Sequence, residues 1–510
     1  MISIGVDAAA VIPAVTVSRA VFGAQDVTAG AGDGRDGRAA VLDATTGRAL
    51  TYADLAAAVG AAAAGLAREG VRPGTVVALH LPDSPEFAIA LHAVIAAGAV
   101  PFPVRATVPA AELARLLEST GARVLITWPV LLDTAAQAAT AAGVGRVYCF
   151  GAEPDVTPFS ALLDGGAAPD VPLDPARDTA LLTSTRGLTG PSRPVRLTHA
   201  EVVAGLVRVV EGGMLGSGDV VLSALPFSDA LGLNGALNPA LRLGATVVAL
   251  AGAGRHDLLR ALQDHRVTVA VLPPRLVEAL AYDRAVPRYH LRSLRAIVSA
   301  GGPLDVEAAR ACAARLGCPV RQAYGLAEAA GLTHLNLRAA EEGTLDSVGR
   351  ELPGVRGRVV SARTGTAQPA YQPGELCVRL PAAGTGAVPA RWLPTGDAAF
   401  ADEHGRVYVL GRLDGRSPEP PAEPETVLTG HPAVADAAVA PAPDLSLGLA
   451  PHAFVVLGGR AGPDELLTYV NAHVPPYRQV LAVHVVDLIP RSPAGRVRRR
   501  ALLERADLVP

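Results

Sequence analysis

Two hydrophobic periods alternate along the first three hundred residues, and this alternation limits the fold more than any other feature of the chain. Leu55–Ala67 carries an Ala-rich helical face and ends at Gly70, before the short apolar run Val76–Leu81. Phe87–Ala97 reads as a helix that leads into a strand near Val100–Val104. The unit repeats as a helix at Ala111–Ser119 and a strand at Arg123–Thr127. It returns from Thr246–Leu250 through the helix Asp257–His265 to Thr268–Leu272 and Arg295–Ser299. Strands separated by helices of this length need βαβ crossovers, so the pattern predicts parallel sheets covered on both faces.

The texture changes from Ser347 onward. Shorter strands at Arg356–Val360, Glu375–Arg379 and Arg406–Leu410 lie between Gly and Pro turns, which predicts a small β-rich subdomain over about 345–413. Ser417–Pro424 is Pro-rich and reads as a linker, because closely spaced prolines stiffen the chain and remove ladder donors. Thr426–Gly430, Ala433–Ala440, His452–Leu457, Asp464–His473 and Val480–Val486 then describe a compact α+β unit. The expected organisation is a large α/β domain over 1–413 and a small C-terminal domain over 414–510.

Composition excludes several partners. A formal charge of −3, with no basic block before Arg496–Arg500, gives no footprint for nucleic acid. The most apolar stretch, Phe87–Val104, is interrupted by His92, Gly98 and Pro101, so no membrane helix is expected. Cys149, Cys312, Cys318 and Cys377 lack metal-ligand spacing and read as buried thiols of a reduced, cytoplasmic protein. No secretory leader is legible at the start of the chain. All 45 basic residues are arginine, so no mechanism that requires a lysine ammonium can operate here.

The chemistry is concentrated in an ordered series of motifs. Thr185-Arg186-Gly187-Leu188-Thr189-Gly190 follows the apolar run Ala180–Leu182, and such a Gly- and hydroxyl-rich loop suits phosphate oxygens. After it come Leu225-Pro226-Phe227, Ser299-Ala300-Gly301-Gly302, Gln322-Ala323-Tyr324-Gly325-Leu326-Ala327-Glu328, Ser347-Val348-Gly349-Arg350, Thr395-Gly396-Asp397 and Gly411-Arg412-Leu413-Asp414. Pro490–Arg499 closes the series. In isolation each segment could equally be a strand end, a capped turn or a solvated charge. In this order, from about Thr51 to Leu503, they resemble the adenylate-forming superfamily of acyl-CoA synthetases, peptide-synthetase adenylation domains and luciferases. Among these the chain is most similar to coumarate–CoA ligase-like enzymes.

That resemblance implies a two-step reaction using ATP and Mg²⁺. A small carboxylic acid attacks the α-phosphate to give an acyl-adenylate; the small C-terminal domain then rotates, and CoA or an amine takes the acyl group. It also implies site residues. Thr185, Gly187, Thr189 and Gly190 would cradle phosphates, with Gly302, Tyr324 and Gly325 bordering the nucleotide and Tyr324 stacking on adenine. Glu328 would hold Mg²⁺, Asp397 would accept both ribose hydroxyls, and Arg412 would lie beside the ribose or phosphate. Asp229 and Gly301 would line the acyl pocket, and Asp414 would mark the hinge.

The chain departs from the family pattern at several of these positions. Arg186 and Leu188 replace a serine and a threonine of the phosphate loop, and Arg193, followed by Pro194, stands where a lysine and glycine are usual. Arg496 takes the place of the lysine that bridges acid and α-phosphate, and guanidinium is not a conservative replacement for ammonium. Asp229 replaces a histidine and would repel an acid substrate; Ala327 replaces a threonine. Gly415–Pro421 is too short for the β-hairpin that in the family lines the CoA tunnel, so CoA stays the default acceptor while an amine or another nitrogen nucleophile suits the shortened hinge better. Two readings stay open. One is an active AMP-forming ligase of secondary metabolism, with Arg193, Glu328 and Arg496 as its catalytic residues. The other is a non-catalytic or repurposed homologue that keeps the fold and acts as a binding protein or without ATP.

Overall fold

The computed structural model describes residues 13–23, 36–164, 166–184, 193–252, 254–337, 345–361, 364–380, 392–413, 423–444, 448–474, 479–490 and 499–506. They form two compact units. One holds the described residues as far as Val355 together with Leu380, and the other holds Arg356–Arg379 and the described residues after 391.

The larger unit contains the predicted parallel sheets. Five strands pair in the order Val100–Val104, Val76–His80, Val124–Thr127, Arg146–Cys149 and Thr157–Pro158, all parallel. Val100–Val104 lies at the end of this order, the place where a strand tolerates Pro101 and Pro103. A nine-stranded sheet has a parallel centre, in the order Val320–Leu326, Ala296–Ser299, Val269–Leu272, Val220–Ser223, Thr246–Ala249 and Ala39–Asp43. Antiparallel strands finish it on both sides: Ala49–Thr51 beyond Ala39–Asp43, and Gly331–Leu335 then Arg350–Glu351 beyond Val320–Leu326.

Local chemistry sets the helix starts. The helix expected from Leu55 begins at Tyr52, because Thr51 and Asp54 form a reciprocal capping box with Asp54 N 3.0 Å from Thr51 Oγ1. Pro85–Ala96 starts on a Ser84 cap with proline in its first turn, and it is buried from Pro85 to Ile95. A helix apolar on all sides belongs inside a core. Phe87, Leu91 and Val94 accordingly share one cluster with Val41, Val221 and Val247 of the large sheet. Several elements were not anticipated from the sequence, among them the helices Val17–Phe22, His199–Glu211 and Val306–Leu316 and a single π turn at Leu233–Leu237 between Ala230–Gly232 and Asn238–Leu243.

The smaller unit holds two sheets. Arg356–Val360, Gly374–Arg379, Trp392–Ala401 and Val407–Arg412 make a four-stranded antiparallel sheet, the predicted β-rich element. Val434–Asp444, Gly448–Leu457 and Ala482–Val485 make a three-stranded sheet, accompanied by the helices Glu423–Thr429, Pro463–His473 and Arg499–Arg505. The α/β class with a smaller α+β C-terminal part is therefore as expected. Among the described residues no helix is long and apolar enough to cross a membrane. All four cysteines are buried and free, as their scatter suggested.

Phe87 is fully buried in the shared cluster, its ring 5.7 Å from that of Phe227. Phe87→Ala should cost the larger unit about 3–5 kcal/mol. The check is chemical denaturation followed by near-ultraviolet circular dichroism, where an unchanged midpoint would contradict this packing.

Candidate functional site

Parallel pairing places the carboxyl ends of neighbouring strands on one edge, where ligands of open α/β sheets bind. Ser299 pairs with Gln322, so Ala300–Gly302 leaves the parallel pairing at the level where Ala323–Leu326 continues against Gly331–Leu335, before the turn that carries Glu328. Gly301 has φ +85, a left-handed conformation that favours glycine, and Gly302 is exposed beside Pro274. Tyr324 is half-buried and meets the buried His334 edge-on, with ring centroids 5.9 Å apart. Gly325 sits at a register shift against Gly331–Leu335, and a Cβ there would overlap the Gly331 carbonyl. A glycine is needed for this approach.

Glu328 projects from a one-turn 3₁₀ segment, Ala327–Ala329, and is exposed. Ala330 closes the turn with φ +55, an uncommon conformation for a residue with a Cβ. Backbone anchors hold this kink. Asn234 in the π turn donates to the Ala330 carbonyl at 2.9 Å and to the Val202 carbonyl at 3.1 Å, and Asn238 donates to Asn234 Oδ1 at 2.8 Å. Buried Arg208 donates from Nη2 to the Ala329 carbonyl. A π turn inside a helix often marks a functional position, and here it supplies the asparagine that grips the Glu328 turn.

Among the described residues no group of three or more His, Cys, Asp or Glu could hold a metal. Glu328 alone offers a hard carboxylate oxygen, which fits a Mg²⁺ whose other positions are taken by water and phosphate.

Asp229 precedes the turn Ala230–Gly232, which packs on the same segment: Leu231 Cδ2 would lie 2.7 Å from a Cβ at Gly325, and the Ala230 carbonyl 3.4 Å from one at Gly331. Arg105 Nε approaches Asp229 at 3.9 Å. Asp83 lies on the other side, accepting from the Phe227 amide at 2.9 Å. Burial, and secondarily the charge of Asp229, push the Asp83 carboxyl up to about 7. Neither Asp83 nor Arg105 stood out in the sequence, because nothing near them in the chain signals Asp229.

In the smaller unit, Asp397 and Arg412 face each other across paired strands. Arg412 Nη1 lies 3.1 Å from Asp397 Oδ1 and 3.1 Å from the Thr395 carbonyl. Thr395 Oγ1 accepts from the Asp397 amide at 3.0 Å, and Gly396, with φ +69, donates to Glu375 at 3.0 Å. This network fixes the Asp397 backbone and leaves its carboxylate against a cation.

Arg193 is exposed at the foot of a hairpin in which Ser184 pairs with Pro194. Pro194 opens its strand, a position where its missing N–H is tolerated. Thr185, Gly187, Thr189, Gly190, Asp414 and Arg496 lie outside the described residues.

Residues 29–386 match the AMP-binding enzyme family, and 423–496 match the AMP-binding enzyme C-terminal domain. 4-Coumarate–CoA ligase 5 of Oryza sativa subsp. japonica is 33% identical, over 92% of this chain and 92% of that protein. A benzoate CoA ligase from Burkholderia xenovorans LB400 is similar in structure, with a TM-score of 0.71 and 25% identity over 96% of this chain and 99% of that one. The amide bond synthetase McbA from Marinactinospora thermotolerans gives a TM-score of 0.67 and 27% identity over 96% and 99%.

Asp83 supplies a test of this geometry. Its folded-state carboxyl titrates far above the unfolded value, so the native state holds the proton more tightly, and stability should fall as pH rises from about 4 towards 7. Asp83→Asn keeps an acceptor for the Phe227 amide and removes the titration. Thermal midpoints measured from pH 4 to 8 should fall less steeply in the variant, which should also be the more stable protein above pH 7.

Proposed function

The chain belongs to the AMP-binding enzyme family, and on that premise we propose that it is an ATP-dependent ligase that activates a small carboxylic acid. A carboxylate oxygen attacks the α-phosphorus of ATP, the bond to pyrophosphate breaks, and an acyl- or aryl-adenylate forms. A thiol of CoA or a nitrogen nucleophile then attacks the acyl carbon, and AMP leaves. The observation that carries this reading is the exposed Glu328 in the turn that follows the strand Val320–Leu326, four positions after the half-buried Tyr324 at the carboxyl end of the parallel pairing.

In this reading Tyr324 offers its ring to adenine, and Gly325 lets the adjoining backbone approach Gly331 closely. Glu328 holds Mg²⁺, which when bound would neutralise phosphate charge during attack. Asp397 accepts the ribose hydroxyls, and Arg412, already hydrogen-bonded to it, orients the carboxylate. Gly301 and Gly302 border the nucleotide and the acyl group. Asp229, paired with Arg105, lines the acyl pocket without presenting an unopposed negative charge to an acid. Arg193 and Arg496 supply cationic charge where the sequence has no lysine. Thr185, Gly187, Thr189 and Gly190 cradle the phosphates, and Asp414 marks the hinge.

CoA is the default acceptor, supported by the likeness to 4-coumarate–CoA and benzoate CoA ligases, and a nitrogen nucleophile is the alternative that suits the short Gly415–Pro421 segment and the likeness to an amide bond synthetase. The site suits secondary metabolism of an aryl or acyl acid.

Calorimetric titration with ATP and AMP, each with and without Mg²⁺, tests these assignments. Glu328→Ala should weaken Mg·ATP binding about tenfold or more and leave Mg²⁺-free AMP unaffected. Asp397→Ala should weaken both nucleotides, since both carry the ribose. Unaltered binding in both variants would defeat the assignment.

A further inference from the structure

Arg208 is the largest fully buried charged side chain among the described residues, on the helix His199–Glu211. Burial lowers its guanidinium to about 10, so it is still a cation at neutral pH. A buried cation without an anionic partner is costly, and Nε here has no hydrogen-bond partner. What Arg208 does bond is the Ala329 carbonyl, the first peptide oxygen after Glu328.

The surrounding contacts converge on the same turn. Gly205, one helical turn before Arg208, presses on the Ala330 carbonyl so closely that a Cβ would overlap it and stand 2.9 Å from Asn234 Nδ2. One face of this helix is thus shaped to bring Arg208 under the Glu328 turn. Ala329 and Ala330 present successive carbonyls at a left-handed kink, and Arg208 and Asn234 each take one. Glu328 itself is exposed, so the backbone of the turn sets the point from which its side chain extends.

We propose that Arg208 is a positioning residue that, through the Ala329 carbonyl, fixes the turn from which Glu328 reaches the metal. This inference rests on the reading of Glu328 as the Mg²⁺ ligand. It assigns the buried cation to metal-dependent nucleotide binding, whereas a general packing role would affect every property of the unit alike.

The test uses the full chain and four variants: Arg208→Met, Arg208→Lys, Arg208→Gln and Glu328→Gln. ATP binding is followed during Mg²⁺ titration, and AMP binding is followed without Mg²⁺. Arg208→Met should raise the Mg²⁺ needed for half-maximal ATP binding about tenfold. AMP binding should be unchanged, and Arg208→Lys, which keeps charge and donor, should restore much of the loss. Hydrogen exchange of 323–335 should quicken in Arg208→Met and not in Glu328→Gln. An unchanged Mg²⁺ demand in Arg208→Met overturns the inference, as does equal weakening of AMP and Mg·ATP. Should Arg208→Met fail to fold, Arg208→Gln carries the same comparison with the same outcomes. If Glu328→Gln shifts the Mg²⁺ demand and the Arg208 variants do not, the positioning role alone falls. If Glu328→Gln also leaves it unchanged, the metal-ligand reading falls and takes this inference with it.

Discussion

Backbone pairing between Ala296–Ser299 and Val320–Leu326 is the interaction on which the candidate site depends. The strands run parallel with Ile297 opposite Val320 and Ser299 opposite Gln322, so Ala300–Gly302 leaves the sheet at the height where Ala323–Leu326 runs on against Gly331–Leu335. This register brings Gly301 and Gly302 to the level of Tyr324, and Glu328 follows at the end of the same strand. The pairing is maintained by what covers it. Ile297 and Val320 enter one apolar cluster, while Val298, Ala300 and Ala323 enter another on the opposite face. A strand buried on both faces cannot slip by one residue without reversing its core, so the hydrophobic sequence also fixes the geometry of the site edge.

The same economy holds for polar groups inside the larger unit. His80, His92 and His334 are all fully buried, and burial lowers the affinity of each for a second proton, to about 4 at His92 and about 3 at His334. They pack as neutral rings, His92 edge-on to Phe22 at 5.0 Å and His334 against Tyr324. Arg208 cannot adapt in this way because a guanidinium gives up its proton far less readily. It therefore stands apart from the other buried titratable groups, a buried cation bonded to the backbone of the Glu328 turn.

Most of the fold was legible because helices and strands in parallel α/β units have different periods and both are long enough to register. The helices expected from Leu55 and Phe87 begin at Tyr52 and Pro85, within a few residues of their apolar patterns. The order of motifs located Tyr324, Glu328, Asp397 and Arg412, yet order says nothing of what a side chain touches. Asp397 and Arg412 are fifteen positions apart in sequence, and their hydrogen bond depends on a strand register shifted at Ala398. Asp83 and Arg105 were invisible because their significance comes from Asp229, which is remote in the chain. Arg208 did leave a trace: it is a lone cation within Leu206-Val207-Arg208-Val209-Val210. The π turn left none, since Leu233–Leu237 has the composition of an ordinary apolar helix.

The four cysteines have a consequence for a protein proposed to make reactive acyl groups. Activated acyl groups transfer readily to thiolates and to free amines. All four thiols are buried, and burial pushes Cys312 up to about 12 and Cys318 to about 11, far from ionisation at neutral pH. The chain also contains no lysine, so it has no ε-amine to offer. The electrophile it would generate therefore meets neither an exposed thiolate nor an ε-amine, and acylation of the protein by its own intermediate is left to other acceptors such as the exposed imidazole of His404.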